Sequence, residues 1–357
     1  MRILIIGPKH KQGGLTPYIN SLSQALRHLG CYVDWIGSDT LPYDKEEGSF
    51  WSVNRIEETT LKILQSCSLE TYDLLSIHFG KLEIEQLVPV LWENLARPPA
   101  VYHVHSIDWD LFREFLGRPD LAQAVVKSVY KMEGFVFFGQ FAFQRMYSTS
   151  VIAKPYCISF HPAVIPMEDQ ETSWKLPWKE GVHFASMHGF FSPWKDIDSL
   201  LSAFLEVKYP LRFVLAGPLW NQRLNFHYKK IGLVDMYVIS KYIAGHQLLH
   251  LIKHTDFAIF PYCNHPCFQG SGALANYLFH GVPTIAFNVA NLEEQIDDAG
   301  ILVDSGNLQG LSEAINNLLS SPKILQEKRN LANQRSSLFD IKNHAKNCLK
   351  LYKSIAR

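Results

Sequence analysis

Residues 257–287 read FAIFPYCNHPCFQGSGALANYLFHGVPTIAF, and this stretch decides the fold class. The apolar run 257–261 predicts a buried strand, and the small residues from Gly270 onward predict the start of a helix. Gly281-Val282-Pro283 ends that helix, because glycine accepts the conformation that follows a helix and proline cannot continue one. A second apolar run, 284–287, predicts the next strand. Strand, turn, helix and strand in this order are typical of a parallel α/β sheet.

The turn before the predicted helix is suited to bind a phosphate. It consists of Gln269, Gly270, Ser271 and Gly272. Small residues leave the backbone N–H groups of the first helical turn accessible, and the helix dipole adds a positive potential there. The sequence therefore predicts that a diphosphate binds at this turn.

The same alternation of apolar runs and amphipathic segments extends through the chain on both sides of this stretch. The predicted strands are Arg2–Ile6, Tyr32–Ile36, Leu74–Ile77, Ala100–His105, Gly134–Phe138, His183–Met187, Leu211–Ala216, Met236–Ile239, Phe257–Pro261, Thr284–Phe287 and Ile301–Val303. Such alternation predicts mainly parallel sheets that are covered by helices on both faces.

A segment near the middle of the chain predicts a domain boundary. Residues 161–181 are rich in proline and charge and have no apolar periodicity, which is typical of a linker. The 357 residues also exceed the roughly 150 of an ordinary domain. We therefore expect two doubly wound α/β domains over residues 1–165 and 183–338, joined by a linker over 166–182. Ligands of such sheets bind at the carboxyl ends of the strands, here in the cleft between the domains.

Composition excludes several classes of protein. Hydrophobic residues make up 47% and charged residues 19% of the chain, a globular composition. The charges of the 34 basic and 34 acidic residues cancel, so we expect no nucleic-acid partner.

Six scattered cysteines are typical of a reduced, cytoplasmic protein. No apolar run reaches the roughly 18 residues of a spanning helix, and the apolar start is too short for a signal peptide. Peripheral contact with the inner face of a membrane stays open.

A second loop has features of a phosphate-binding turn. After the first predicted strand the chain reads GPKHKQGG and ends in Gly13-Gly14, directly before a predicted helix. We expect Thr16 to cap this helix and Pro17 to be its first residue. Gly13 and Gly14 allow a phosphate to approach the helix N-terminus. The spacing does not match the dinucleotide-binding fingerprint, so a plain structural turn remains the alternative.

Two short patterns are typical of metal sites. Asp108-Trp109-Asp110 is an Asp-x-Asp pattern, but it opens a predicted helix, where acidic residues interact favourably with the dipole. Cys263 and Cys267 flank a histidine, but a structural zinc site needs four ligands and no second pair is near in sequence. We therefore predict neither a metal ion nor another resident cofactor.

Taken together and in order, these motifs resemble the retaining GT-B glycosyltransferases of family four, the group 1 glycosyltransferases. Gly13-Gly14 resembles the family's opening glycine pair, and His105 falls on its histidine at a strand end, beside the transferred sugar. Lys195, in GFFSPWKDIDSLLSAF, falls on the lysine that faces the diphosphate. The Gly-x-Pro after the donor helix corresponds to residues 281–283, and Glu294 lies in the segment before GILV. The resemblance covers nearly the whole chain.

This sequence departs from the family pattern at three positions. The family commonly has two glutamates separated by seven residues, and an ungapped match puts Phe268 and Asn276 there. Asn276 offers a ribose hydroxyl a hydrogen bond that lacks the charge assistance of a carboxylate. Phe190 stands where the arginine of the family's basic pair is expected, which leaves Lys195 to neutralise most of the diphosphate.

The resemblance implies a function and an arrangement of the chain. It implies a metal-independent hexosyltransferase that uses a nucleoside-diphosphate sugar as donor, retains the anomeric configuration and needs no protein base. It also implies a C-terminal helix, within 339–357, that packs back on the first domain. The acceptor class is a cell-envelope glycan, a lipid-linked sugar or a secondary metabolite. The alternatives are a binding or scaffold partner of an active transferase with a degenerate donor site, and a nucleotide-sugar epimerase on the same fold.

Overall fold

The computed structural model describes the chain except for residues 11–12, 45, 94, 109–110, 150–152, 166–173, 193, 219–223, 225, 244, 266–267 and 357. Residues 166–173 of the predicted linker, part of the Asp-x-Asp pattern and Cys267 therefore lie outside the described residues. The chain divides into two compact units. The first comprises Met1–Phe160 and Ile341–Arg357, and the second comprises His161–Asp340.

The first unit contains a parallel sheet of six strands and a short hairpin. Its strands are β1 (Arg2–Ile6), β2 (Tyr32–Ile36), β3 (Tyr43–Asp44), β4 (Ser49–Phe50), β5 (Leu74–Phe79), β6 (Ala100–Val104), β7 (Gly134–Phe137) and β8 (Tyr156–Ile158). Its helices before residue 160 are α1 (Leu15–His28), α2 (Val53–Gln65), α3 (Val88–Leu91), α4 (Pro119–Tyr130) and α5 (Gln140–Thr149). The sheet order is β2-β1-β5-β6-β7-β8, and β3 pairs only with β4. The central strands are buried along their length because helices cover both faces.

The second unit contains a sheet of seven strands. Its strands are β9 (His183–His188), β10 (Leu211–Ala216), β11 (Tyr228–Ile231), β12 (Val234–Ile239), β13 (Phe257–Phe260), β14 (Thr284–Phe287) and β15 (Gly300–Val303). Its helices are α6 (Ile197–Phe204), α7 (Gly245–Lys253), α8 (Gly272–Phe279), α9 (Leu292–Ile296), α10 (Leu308–Ser320) and α11 (Pro322–Arg335). The order is β11-β12-β10-β9-β13-β14-β15, in which β11 alone is antiparallel to its neighbour. The six parallel strands follow the doubly wound order of dinucleotide-binding folds.

The last helix, α12 (Ile341–Ile355), belongs to the first unit, although the second unit precedes it in the chain. It packs against α1, β7 and β8. Its buried side chains include Cys348 and Tyr352, which reach into the core of the first unit.

Both sheets have a topological switch point at which two glycines meet. In the first unit β1 lies between β2 and β5, and in the second unit β9 lies between β10 and β13. A Cβ on Gly37, after β2, would overlap the carbonyl of Gly7, after β1. A Cβ on Gly217, after β10, would likewise overlap the backbone of Gly189, after β9. Such close backbone approach at the carboxyl ends of the strands is possible only for glycine.

The structure corrects one predicted helix start and adds strands that were not predicted. Helix α1 begins at Leu15 with Gly14 at its N-cap, not at Thr16-Pro17. The Thr16 hydroxyl donates instead to the carbonyls of Pro8 at 3.2 Å and His10 at 2.5 Å, so it holds the preceding loop. Four strands were not predicted because their residues lack the continuous apolar pattern on which the prediction was based: β3, β4, β8 and β11.

Among the helices that the structure describes, each is too short or too polar to span a bilayer.

Candidate functional site

The N-terminus of α8 is held in place from three directions. The hydroxyl of Ser271 caps the helix and accepts a hydrogen bond from the Leu274 N–H at 3.1 Å. The N–H of Ser271 donates to Oε1 of Gln295 at 3.1 Å, and the Tyr262 hydroxyl lies 3.2 Å from Ser271 Oγ. The turn is therefore a fixed feature of the second unit.

The glycines of this turn have a packing role that the sequence did not reveal. A Cβ on Gly270 would overlap the side chain of Asn291. A Cβ on Gly272 would come within 2.6 Å of the His161 ring. Both glycines make room for side chains of the same unit, which is a different reason for small residues from the predicted exposure of N–H groups. That their N–H groups donate hydrogen bonds to a phosphate stays a prediction.

Lys195 is a buried cation near the start of α8. Its exposed fraction is 9%, and its Nζ lies 5.0 Å from the ring centre of Phe191 and 5.4 Å from that of Tyr262. A Cβ placed on Gly189 would lie 2.8 Å from that Nζ and 3.5 Å from the Cβ of Ala273, in the first turn of α8. Burial lowers the pKa of Lys195 to about 7. Among the described residues no carboxylate pairs with it.

His188 lies beside this lysine at the end of β9. It is 6% exposed, and its Nε2 lies 3.3 Å from Nδ2 of Asn276. An amide NH2 group only donates, so Nε2 accepts and Nδ1 carries the ring proton. That Nδ1 has no hydrogen-bond partner among the described residues. Burial, and then the charge of Lys195, lower the pKa of His188 to about 3, so the ring is neutral at pH 7. Sequence reasoning did not predict His188 as a site residue. The sequence feature that could have indicated it is a polar residue between the end of a predicted strand and a glycine.

Asn276 forms hydrogen bonds within the second unit with both ends of its amide. Its Oδ1 accepts from the Val164 N–H at 2.9 Å, which fixes the orientation of the amide, and its NH2 donates to His188. The side chain is 3% exposed. A contact with a ribose, as the sequence predicts, would therefore compete with these two hydrogen bonds, which the sequence did not indicate.

Two more residues of this unit are predicted to bind the sugar donor. Gln269 is the first residue of the α8 turn and is buried. Glu294 lies in the first turn of α9 and is half-buried, and its backbone carbonyl accepts from the Arg335 guanidinium at 2.7 Å. Neither geometry tests their predicted contact with a donor.

In the first unit, Gly13 and Gly14 precede a helix start that has no side-chain cap. Helix α1 has Gly14 at its N-cap and makes no side-chain hydrogen bond there. A Cβ on Gly13 or Gly14 would meet no atom within 4 Å, so packing does not require glycine at either place. The two turns thus differ, because the α8 turn is packed and this one is open.

His105, just beyond the end of β6, belongs to a cluster of imidazole rings. Its Nε2 lies 3.2 Å from Nδ1 of His78, and its ring packs edge-on against Tyr18 with 4.9 Å between ring centres. His103 and His344 lie behind them, and the Tyr18 hydroxyl is 2.8 Å from each of these two rings. Sequence reasoning predicted only His105, because the other members come from distant parts of the chain.

Three buried side chains of this cluster are of the kinds that bind transition metals. One ligand atom each of His103, His344 and Cys348 lies within 4.8 Å of the others. His103 Nδ1 and His344 Nε2 each lie 2.8 Å from the Tyr18 hydroxyl, and Cys348 Sγ lies 3.4 Å from His344 Nε2. Hydrogen bonding within the protein therefore accounts for the arrangement.

The second unit matches a known protein family. Residues 168–336 match the family described as "Glycosyl transferases group 1". No curated protein sequence matches the chain.

Solved structures resemble the chain over its full length. Sucrose-phosphate synthase (tll1590) from Thermosynechococcus elongatus has a TM-score of 0.71 and 15% identity, and the match covers 99% of this chain and 98% of that one. Anabaena Alr3699/HepE, solved with UDP and glucose, has a TM-score of 0.70 and 16% identity, with 99% and 100% covered. WaaG, a glycosyltransferase involved in lipopolysaccharide biosynthesis, has a TM-score of 0.64 and 14% identity, with 99% of each chain covered. The shared fold is GT-B.

Proposed function

We propose that this protein transfers a hexose from a nucleoside-diphosphate sugar. The match of residues 168–336 to the group 1 glycosyltransferases supports this function. The acceptor is a hydroxyl of a cell-envelope glycan, a lipid-linked sugar or a secondary metabolite. HepE has been solved with UDP and with UDP-glucose, which supports a nucleotide-sugar as donor. WaaG acts in lipopolysaccharide biosynthesis, which supports an envelope acceptor.

Lys195 is the observation that carries the proposal. A buried lysine without an anionic partner is unfavourable unless a ligand supplies the negative charge. The side chain lies near the first turn of α8, whose N–H groups and dipole favour an anion in the same place. A diphosphate bound there receives the lysine charge and the backbone donors together. This electrostatic stabilisation increases as the leaving group acquires charge.

The proposed reaction proceeds with retention and without a metal ion. The acceptor oxygen bonds to the anomeric carbon while the bond from that carbon to the diphosphate breaks, on the same face of the sugar. The departing diphosphate takes the acceptor proton, so no protein base is needed. By the resemblance His105 orients the transferred sugar, and Gly13, Gly14, Gln269 and Glu294 contribute to donor binding. The cation of Lys195 takes the charge-neutralising role that a metal ion has in other transferases.

A donor screen tests this function. Purified protein is heated with UDP-, GDP-, ADP- and dTDP-sugars, and a ligand at a hundred times its dissociation constant adds about 2.7 kcal/mol of stability. The donor that stabilises the protein is then assayed for hydrolysis and for transfer, with and without EDTA. We expect slow hydrolysis to the free sugar with retained configuration, unchanged by the chelator. Binding without turnover would favour the scaffold alternative, and an epimerised nucleotide-sugar would favour the epimerase.

A further inference from the structure

A pocket of about 420 Å³ opens at the carboxyl ends of β1 and β2 in the first unit. One wall is the loop after β2, at residues 37–40, together with Lys9 from the loop after β1. A second wall is formed by α2 and its C-cap, through residues with the i, i+3, i+4, i+7 spacing of one helix face: Thr59, Lys62, Ile63 and Ser66. Small-molecule sites have volumes of roughly 300–1,000 Å³, so the size is suitable. This cavity is hereafter called the α2 pocket.

The loop after β2 is held in place by hydrogen bonds. The N–H of Ser38 donates to Oε1 of Glu85 at 2.7 Å, and the Ser38 carbonyl accepts from the Lys9 N–H at 2.8 Å. The Ser38 hydroxyl donates to the Thr40 carbonyl at 2.6 Å and accepts from the Thr40 N–H at 3.2 Å. The wall is therefore formed before a ligand binds, which lowers the entropic cost of binding.

The α2 pocket contains two lysines and one acidic residue. The side chains of Lys9, Lys62 and Asp39 are exposed, and none of the three forms an ion pair with another described residue. Glu85 is buried beneath Ser38, and burial raises the pKa of Glu85 to about 8, so its carboxyl group is mostly uncharged at pH 7. Positive charge therefore exceeds negative charge in the pocket and is available to an anionic ligand.

The hydroxyl groups of the α2 wall can accept hydrogen bonds from a ligand. The Thr59 hydroxyl donates to the Arg55 carbonyl at 2.8 Å, and the Ser66 hydroxyl donates to the Ile63 carbonyl at 2.6 Å. A hydroxyl has one proton and two lone pairs, so both oxygens keep acceptor capacity although their protons are already used. The Asp39 carboxylate also only accepts. Acceptors for hydroxyl groups and two ammonium donors thus line the same pocket.

We propose that the α2 pocket binds the acceptor substrate, and that this acceptor is a hydroxyl-rich molecule with a phosphate ester group. The ammonium groups of Lys9 and Lys62 bind the phosphate by charge-assisted hydrogen bonds, and hydroxyl groups of the ligand donate to Asp39 and to the α2 wall. An uncharged glycan would leave both lysines without a partner. The role of the ligand as acceptor rests on the proposed function, whereas its chemistry rests on the pocket alone.

Calorimetric titration of the full-length protein tests the ligand class. The probes are glucose 6-phosphate, mannose 6-phosphate and glycerol 3-phosphate, each compared with its unphosphorylated parent and with inorganic phosphate. We expect at least one phosphorylated compound to bind tenfold or more tightly than both references. If none of the three binds more tightly than its parent, the proposal is wrong.

Lysine variants test whether this binding occurs in the α2 pocket. Lys9→Met and Lys62→Met should each weaken the binding of the phosphorylated compound about fivefold, because each removes one exposed charge pair. Lys127→Met is the matched control, since Lys127 is an exposed lysine of the same unit on α4, outside the pocket. Unchanged affinity in both pocket variants would refute the assignment. An equal loss of affinity for nucleoside diphosphates would place the two lysines at the donor site and also refute it.

Asp39→Asn distinguishes a specific site from a basic surface. On a basic surface, removal of the acidic residue would strengthen the binding of every phosphate compound. In the proposed site the carboxylate accepts from a ligand hydroxyl, and the neutral amide makes a weaker bond. We therefore expect the phosphorylated compound to bind several-fold more weakly, while inorganic phosphate does not. Tighter binding of both would contradict the proposal.

Vesicles distinguish a soluble acceptor from a lipid-linked one. The protein is sedimented with vesicles of phosphatidylglycerol and, separately, of phosphatidylcholine. Binding to phosphatidylglycerol alone that is lost in Lys9→Met and Lys62→Met would assign the phosphate to a lipid headgroup. Binding of the soluble compounds alone would assign a soluble acceptor. Vesicle binding that both variants retain, without binding of the soluble compounds, would place the membrane contact elsewhere and overturn the proposal.

Transfer assays separate this inference from the proposed function. With the phosphorylated acceptor, Lys9→Met and Lys62→Met should raise the KM for the acceptor about fivefold and change kcat little. Transfer by the wild-type protein to unphosphorylated parents with the same kcat/KM would refute the inference and leave the proposed function in place. Binding that depends on both lysines, without transfer from any nucleotide-sugar, would refute the proposed function and leave the ligand class of the pocket in place.

Discussion

The two units differ in how their polar groups are paired near the carboxyl ends of the parallel strands. In the first unit the histidines near the end of β6 pair with one another and with hydroxyls, as the contact between His105 and His78 illustrates. In the second unit the region after β9 holds Lys195 without an ion pair and His188 with an unpartnered Nδ1 among the described residues. The rings around His105 are thus hydrogen-bonded within the first unit, whereas the region after β9 offers a cation and an N–H group that no described residue pairs.

This difference shows where a charged ligand is needed. A buried unpaired cation and a buried unpaired donor both lower the stability of the folded protein. Such groups are concentrated at functional sites, where a ligand supplies the missing interaction. We therefore expect the second unit to bind the diphosphate of the proposed sugar donor. We expect the first unit to orient the uncharged sugar.

The largest effect is expected at Lys195. In Lys195→Met the turnover number should fall about 10²-fold or more, because the leaving diphosphate loses its buried positive charge. The free protein should at the same time become more stable, because a desolvated cation is replaced by an apolar side chain of similar length. Each kcal/mol gained raises the Tm by about 2–4 °C for a domain of this size. Steady-state kinetics at saturating donor and calorimetric unfolding measure the two effects.

Lys230→Met is the matched control for this substitution. Lys230 is exposed on β11 in the same unit, so its removal should leave both turnover and Tm unchanged. If Lys195→Met lost stability instead of gaining it, Lys195 would have an internal partner and the contrast between the two units would disappear.

A smaller effect is expected from pH. The pKa of Lys195 is about 7 in the free protein, and a bound diphosphate must raise it because the charges attract. Below pH 7 the lysine is already charged, so its ionisation no longer changes the affinity for a nucleoside diphosphate. Above pH 7 the free protein must take up a proton to bind, so the Kd should rise by up to about tenfold for each pH unit. Calorimetric titration in buffers of different ionisation enthalpy measures both the affinity and the proton uptake.

Lys195→Arg provides the comparison for the pH profile. An arginine stays charged throughout this range, so its affinity should not depend on pH between 7 and 9. A flat profile for the wild-type protein as well would mean that Lys195 does not contact the bound phosphates.

The strands were predictable because their burial produces continuous apolar runs. β1, β2, β10 and β14 have the bounds that the sequence predicts. β11 escaped prediction because it is an antiparallel edge strand with three exposed residues, and β8 because it has only three residues at the other edge. Thr16 misled the prediction of α1 because a hydroxyl near a helix start can bond to a preceding loop as well as to the helix.

The chemistry of the sites was less predictable than the fold. The prediction that Lys195 faces a diphosphate came from a family motif. The structure places its side chain near the first turn of α8, and its contact with a diphosphate stays a prediction. The cluster of imidazole rings around His105 has no such signal, since His103 and His344 are joined through Tyr18 only by the folding of the first unit. The glycines at 270 and 272 show the opposite case, because a pattern typical of ligand binding also serves packing against Asn291 and His161.

The smallest effect is expected at Asn276, where internal satisfaction and ligand binding compete within one residue. Asn276→Asp keeps the acceptor for the Val164 N–H but replaces the donor that faces His188 with a carboxylate oxygen. The carboxylate should raise the pKa of His188 from about 3, because His188 can then donate from Nε2 to a negative charge. Since both polar atoms of the amide are already used, we expect nucleoside-diphosphate affinity to change less than about threefold, or roughly 0.7 kcal/mol. NMR titration of His188 and calorimetric titration of the nucleotide measure the two quantities.

Asn316→Asp is the control for this substitution, because the Asn316 amide also bridges two backbone groups, those of Lys208 and Glu206, at an exposed place. If nucleotide affinity increased several-fold in Asn276→Asp but not in the control, the side chain would contact the ribose. Asn276 would then be, with Lys195, one of the residues of the second unit that bind the ligand.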